Sequence, residues 1–201
     1  MTGNARRLTL VALTLALMPT ACSLQSDDGD GGPADTTSVT PTRSFAAPVG
    51  DPPQQGRGTP TPVRWDPCSE ISDPVISAIE FAPETRERSD AVNYDYAFIG
   101  CKFERREDVR GQTLGTAGMY LQSANISLQQ IRDREDEEEF TANGRAGIMF
   151  RDTIADGCVV AFPGPDGIVQ IMVGSYSALT EWDACDHIGA IAETIEPHVP
   201  Q

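Results

Sequence analysis

Gly157-Cys158-Val159-Val160-Ala161-Phe162-Pro163-Gly164-Pro165-Asp166-Gly167-Ile168-Val169-Gln170-Ile171-Met172-Val173-Gly174-Ser175 is the stretch from which the fold is read. Two β-prone runs, Gly157 to Phe162 and Ile168 to Ser175, flank a connection whose Pro, Gly and Asp residues are those of a hairpin turn. Strands joined this closely pair antiparallel, because a parallel pair needs a crossover of a dozen residues or more. Whatever else the chain contains is therefore expected to organise around an antiparallel sheet.

Working upstream, Ala146 to Asp152 reads as a third strand, preceded by a turn over Phe140-Thr141-Ala142-Asn143-Gly144. Ser127 with Gln130 has the spacing of a capping box and Ile126 with Ile131 that of a hydrophobic staple, so a helix is predicted from Leu128. It runs into Asp133 to Glu139, six acids and one arginine, where like charges fray it. Thr113 to Ser123 is a strand weakened by Gly115 and Gly118. Asn93 to Glu104 is another, carrying Tyr94, Tyr96, Phe98, Cys101 and Phe103. Asp66-Pro67 and Ser72-Asp73-Pro74 each pair a capping side chain with a first-turn proline, which predicts a short turn and then a helix through about Phe81, ended by Pro83. Downstream, a last helix begins near Thr180 or Asp183. Its Ala184, Ile188, Ile191, Ala192 and Ile195 share one face at helical spacing, and Pro197 closes it. The expected fold is α+β, a mainly antiparallel sheet of about five strands packed with N-terminal, middle and C-terminal helices.

The 201 residues suit one domain plus extra segments. Composition places the globular α+β domain at 63–201. Residues 1–21 have the three parts of a cleaved signal peptide: Arg6 and Arg7, the apolar run Leu8 to Met18, and Pro19-Thr20-Ala21 before Cys22. That apolar run is too short to cross a bilayer, which takes roughly 20 residues. Ala21-Cys22-Ser23 resembles the lipobox of bacterial lipoproteins, with Pro19 standing where that pattern prefers leucine. The resemblance implies diacylglyceryl transfer to the Cys22 sulfur, which then becomes the first residue and anchors the chain. Residues 22–62 read as a disordered tether: Ser23 to Pro62 holds seven Pro and six Gly, too little apolar surface to offset its ordering entropy. A flexible chain of that length reaches about 35 Å, enough to hold a domain clear of a membrane.

If Cys22 carries lipid, four cysteines remain, and an even number outside the cytoplasm reads as two disulfides. Four cysteines allow three connectivities. Cys68–Cys101 and Cys158–Cys185 is the expected one, each bridge closing a local loop between a helix and a strand. A metal site is not expected, since no cysteine pair has zinc-ligand spacing and the only histidines are His187 and His198.

Trp65-Asp66-Pro67-Cys68-Ser69, Cys101 with its following aromatic, Gly157-Cys158-Val159-Val160 and Asp183-Ala184-Cys185 together resemble a group of small secreted actinobacterial lipoproteins, a domain of unknown function with four cysteines in these contexts. The resemblance covers about Val63 to Glu196. It implies the cell envelope and two disulfides, and it carries no activity and no catalytic residue.

A formal charge of −15 repels phosphate backbones, which argues against nucleic acid as a partner. No nucleophile elbow, phosphate loop or dinucleotide fingerprint is present, so neither a catalytic set nor a cofactor is expected. Tyr176 and Trp182, aromatics near a helix start, are the candidate ligand groove. The reading is a lipid-anchored protein on the extracytoplasmic face of the cell membrane, a non-catalytic envelope binding or accessory module. Its candidate partners are an envelope protein, a glycan or a small hydrophobic ligand. The alternative is a cell-wall-acting hydrolase using paired carboxylates.

Overall fold

The computed structural model describes residues 44–56, 61–133, 137–152 and 157–201. The leader, Cys22, much of the tether and the middle of the acidic run lie outside the described residues. Asp66 caps α1 (Pro67–Glu70) by accepting the Cys68 N–H, and α2 (Asp73–Ala78) follows with its proline in the first turn;. Glu80, at φ 63°, reverses the chain out of α2, a left-handed position common just past a helix end. Then come β1 (Ala82–Arg88), β2 (Ala91–Val92), β3 (Ala97–Val109) and β4 (Gln112–Ala124). Next are α3 (Leu128–Arg132), β5 (Glu138–Ala142), β6 (Arg145–Asp152), β7 (Gly157–Gly164) and β8 (Gly167–Ser175). Finally α4 (Ala184–Ile195) leads into a 3-10 turn at Glu196–His198.

The strands form one eight-stranded antiparallel sheet in the order β1-β3-β4-β8-β7-β6-β5, with β2 also on β3. The expectation of about five strands with three helices is corrected to eight strands with four short helices, still of mixed α and β type. The additional strands lie at the margins. β1 carries Pro83 and four charged residues, Glu84, Arg86, Glu87 and Arg88, and β5 opens on two glutamates. Edge strands tolerate proline and charge because one side of their backbone is unpaired, so they lack the apolar alternation that marks a strand. The turn expected over Phe140–Gly144 shrinks to Asn143-Gly144. Both residues have positive φ, 49° and 92°, as a two-residue hairpin between twisted strands requires.

The core is divided by the sheet. On one side Phe103, Met119, Leu121, Val160, Phe162, Ile171 and Val173 join Ile76, Ile188 and Ile195 from the helices. On the other, Ala161, Ala124, Ile148 and Ile168 pack with Ile131 of α3. Val160 and Ala161 are adjacent yet belong to different clusters, so β7 is covered on both faces and reads as a continuous apolar run. The first side is roofed by α1, α2 and α4, with α4 lying over β7 and β8.

Two disulfides tie helices to this sheet. Cys68 of α1 is bonded to Cys101 of β3, and Cys158 of β7 to Cys185 of α4. The β7–β8 turn is also a tie point, because Asp166 accepts the backbone N–H groups of Arg64 and Trp65 at 2.9 and 2.8 Å. At the other end Arg145 bonds the buried Glu196 at 2.7 Å and the carbonyls of Pro163 and Val199, holding the C-terminal turn down.

Residues 44–56 form no strand or helix, yet they are held. Val49 packs against the main core cluster, the Phe45 ring lies 4.5 Å from the Arg86 guanidinium, and Gly50 O accepts from Arg88. This strap crosses the domain beside α1 and α2.

Candidate functional site

Where β6, β8 and α4 converge, the sequence places a polar loop between two rigid elements. β8 ends at Ser175. The chain then turns through Tyr176 to Thr180, pinned to β4 by the Tyr176 N–H donating to Thr116 O at 2.8 Å. Asp183 starts α4, its Oδ1 accepting the N–H groups of Cys185 at 2.7 Å and Asp186 at 3.3 Å. Cys185 is bonded to Cys158, and Cys158 is the cross-strand partner of Arg151. That chain of connections sets the Arg151 side of β6 next to the first turn of α4.

The space between them is a half-open pocket of about 290 Å³. Arg151 stands on one wall; Ser175, Ser177 and Thr180 supply three hydroxyls; Glu181 and Trp182 complete the lining ahead of the α4 cap. Its size is close to the lower end of ligand pockets, roughly 300–1,000 Å³. Trp182 is locked in place. His187 stacks on it at 4.7 Å with a 6° interplanar angle, Phe81 meets it edge-on, and the Arg105 guanidinium lies 5.0 Å from its ring. Its Nε1, shut off from solvent, has no acceptor, which costs stability unless something supplies one.

Behind this wall, Arg105 ion-pairs with Glu80 and Glu107. The Arg105 guanidinium, and then the Thr180 hydroxyl, hold the Glu107 carboxyl below the usual carboxylate range. Glu107 thereby braces the pocket loop through Thr180. Arg151 and Glu181 differ from these. Neither makes an ion pair among the described residues, although both line one small cavity.

Two other cavities are described. One of about 270 Å³ lies under the strap, against Phe45, Val49 and Asp66. One of about 540 Å³ is a surface trough at the tip of the β3–β4 hairpin, beside Leu114 and Leu179. Among the described residues no group of three or more His, Cys, Asp or Glu is placed to hold a metal ion, and no helix is long and apolar enough to cross a membrane.

Residues 17–198 match the model of a protein family of unknown function, DUF3558. The chain belongs to DUF3558. No curated protein and no solved structure matches it. The DUF3558 match spans all five cysteines and the whole pocket, and the family description assigns no activity, so roles rest on geometry alone.

Of the two aromatics expected to share a groove, Trp182 lines the pocket and Tyr176 does not. Tyr176 is 57% exposed, and its hydroxyl lies 3.9 Å from where a side chain on Gly118 would begin. Gly118 faces away from its neighbour Met119, a core residue under α4, so the sheet separates the two rings. His187 is taken up by stacking on Trp182. Of the two pocket carboxylates, Asp183 is engaged by the α4 cap, and Glu181 lines the cavity without an ion-pair partner among the described residues. Arg151, Ser175 and Ser177 were not legible as a site. They sit on different elements, and nothing in the spacing of a lone arginine and two serines distinguishes them from surface residues.

Proposed function

We propose that this DUF3558 protein is an exported lipoprotein of the actinobacterial type. Cys22 anchors it to the outer face of the cell membrane, and its folded domain is a non-catalytic binding module. The observation that carries the binding role is the half-open pocket of about 290 Å³ at the start of α4, lined by the exposed side chains of Arg151 and Glu181, neither of which makes an ion pair among the described residues. Charged groups that stay hydrated in a concave site, without an internal partner, are free to meet a ligand. With three hydroxyls and three charged residues, Arg151, Glu181 and Asp183, in its lining, the pocket favours a polar ligand over a hydrophobic one. The anchor is supported by Ala21-Cys22-Ser23 following an apolar run too short to span a bilayer, and the two disulfides suit an oxidising compartment.

Two measurements test the reading. Mass spectrometry of protein extracted from membranes is expected to find acylated Cys22 as the first residue, with Cys22→Ala released to the medium; an intact leader on soluble protein refutes the anchor. A fragment library titrated against the ¹⁵N-labelled mature chain is expected to shift amide signals of Ser175 to Cys185. A library that leaves those signals in place refutes the binding role.

A further inference from the structure

We infer that the ligand of this pocket is a small zwitterion, a molecule bearing an ammonium and a carboxylate a few bonds apart, such as a free amino acid or a dipeptide. The inference rests on the reading of the pocket as a binding site and goes on to say what chemistry it selects.

Among the described residues the arginines nearest the core are engaged. Arg86 bonds Asp73 at 2.6 Å, Arg88 bonds Asp66 and Asp90, Arg105 bonds Glu80, and Arg145 bonds Glu196. Arg151 and Glu181, both exposed, line one cavity and form no ion pair with each other or with any other described residue. A guanidinium fork matches a carboxylate through two parallel N–H···O bonds, and a carboxylate accepts from an ammonium. The lining thus brings a guanidinium, the Glu181 carboxylate and three hydroxyls to one cavity, beside Asp183, whose carboxylate caps α4.

The overall charge disfavours the simpler ligands. With −15 on the chain, a plain anion meets a repulsive field before it reaches Arg151. A plain cation is drawn to all 30 Asp and Glu residues alike, and Glu181 has no advantage among them. A zwitterion carries no net charge across that field and is recognised only where both poles are met at the right separation. A neutral sugar would leave both charges unanswered. The volume points the same way, since about 290 Å³ holds a molecule of amino-acid or dipeptide size and has no room for a long glycan or an acyl chain. Ser175 and Ser177 provide hydroxyls that donate or accept as the ligand requires, and Trp182, held by His187 and Arg105, makes that side of the lining rigid.

The test uses the mature full chain, ¹⁵N-labelled, with the twenty free amino acids and a set of dipeptides. Each is compared with its N-acetylated and its C-amidated form, and the same fragment library serves as a control. At least one zwitterion is expected to shift the Ser175 to Cys185 signals, and blocking either end is expected to weaken it tenfold or more. Arg151→Ala should abolish the penalty for amidation, Glu181→Gln the penalty for acetylation, and both variants should melt with the wild type. A binder that tolerates both blocked ends overturns the zwitterion while the binding site stands. So does a panel without effect when library fragments still shift the same signals. Silence from panel and library together overturns the site itself.

Discussion

The two disulfides of this DUF3558 domain hold down opposite kinds of neighbourhood. Around Cys68–Cys101 the charges are internal. The Arg86 side chain is fully shielded, clasped between the rings of Phe45 and Phe103 at 4.5 and 5.0 Å, and bonded to Cys68 O and Asp73. Its neighbour Arg88 joins Asp66, Asp90 and Gly50 O. Around Cys158–Cys185 the charges face outward into a cavity, and Arg151 and Glu181 make no ion pair among the described residues. A charge removed from water must be paired or the fold bears the cost; one left at the mouth of a pocket remains hydrated and free to meet a ligand. The first region is thus built to hold together, the second to receive.

That contrast breaks most sharply at Arg86. Arg86→Ala strands Asp73 and removes the clasp for Phe45, and is expected to cost about 3–5 kcal/mol in urea denaturation. A loss under about 1 kcal/mol would mean that the network is incidental. The bridges come next. They close loops of similar span, 33 and 27 residues, so removing either pair should cost about 2–4 kcal/mol. Their accessibility differs, however. Cys68 and Cys101 are 1% and 0% exposed, while Cys185 lines the pocket. Graded reduction followed by alkylation should label Cys158 and Cys185 first, and the opposite order would put the weaker region on the strap side. Phe45→Ala is smaller, about 1 kcal/mol from the lost contact with Arg86. Its clearer sign should be faster proteolysis within residues 44–56, measured against Arg86-containing wild type.

Glu107 sharpens the comparison through pH. Its carboxyl is held below the usual 4.5, first by Arg105 and then by Thr180. A depressed carboxyl stabilises the fold above its unfolded value and loses that contribution as pH falls through the folded one. Glu107→Gln should therefore be less stable than wild type above pH 4.5, with the gap closing on further acidification; a gap independent of pH would assign the effect to packing. The smallest change is expected at the pocket charges. Arg151→Ala and Glu181→Gln should each stay within about 0.5 kcal/mol of wild type, and a larger loss in denaturant titration would move them into the structural class with Arg86.

How much of this was legible depended on where the information sits in the chain. Ser127 with Gln130 makes the capping box its spacing implies, and Asp66 and Asp183 cap their helices, because a cap is settled within four residues. The β7–β8 hairpin was legible from its turn and its apolar runs, and the apolar face of α4 is the buried one. The edges β1 and β5 were not, since a strand that needs only one partner can be written in Pro, Glu and Arg. Tyr176 and Trp182 are six residues apart and on opposite sides of the sheet, a separation that no local pattern encodes.

Local chemistry alone determined which segments extend, where helices begin, and that four cysteines could bridge in pairs. These depend on neighbours in the chain, and periodicity and capping report them directly. Only the folded structure decided which charges are answered. Arg86 and Arg151 are the same residue type on strands of one sheet, and what separates them is a carboxylate thirteen positions away for the first and an open cavity for the second. Pairing depends on distances in space, fixed when β4 meets β8 and α4 closes over them.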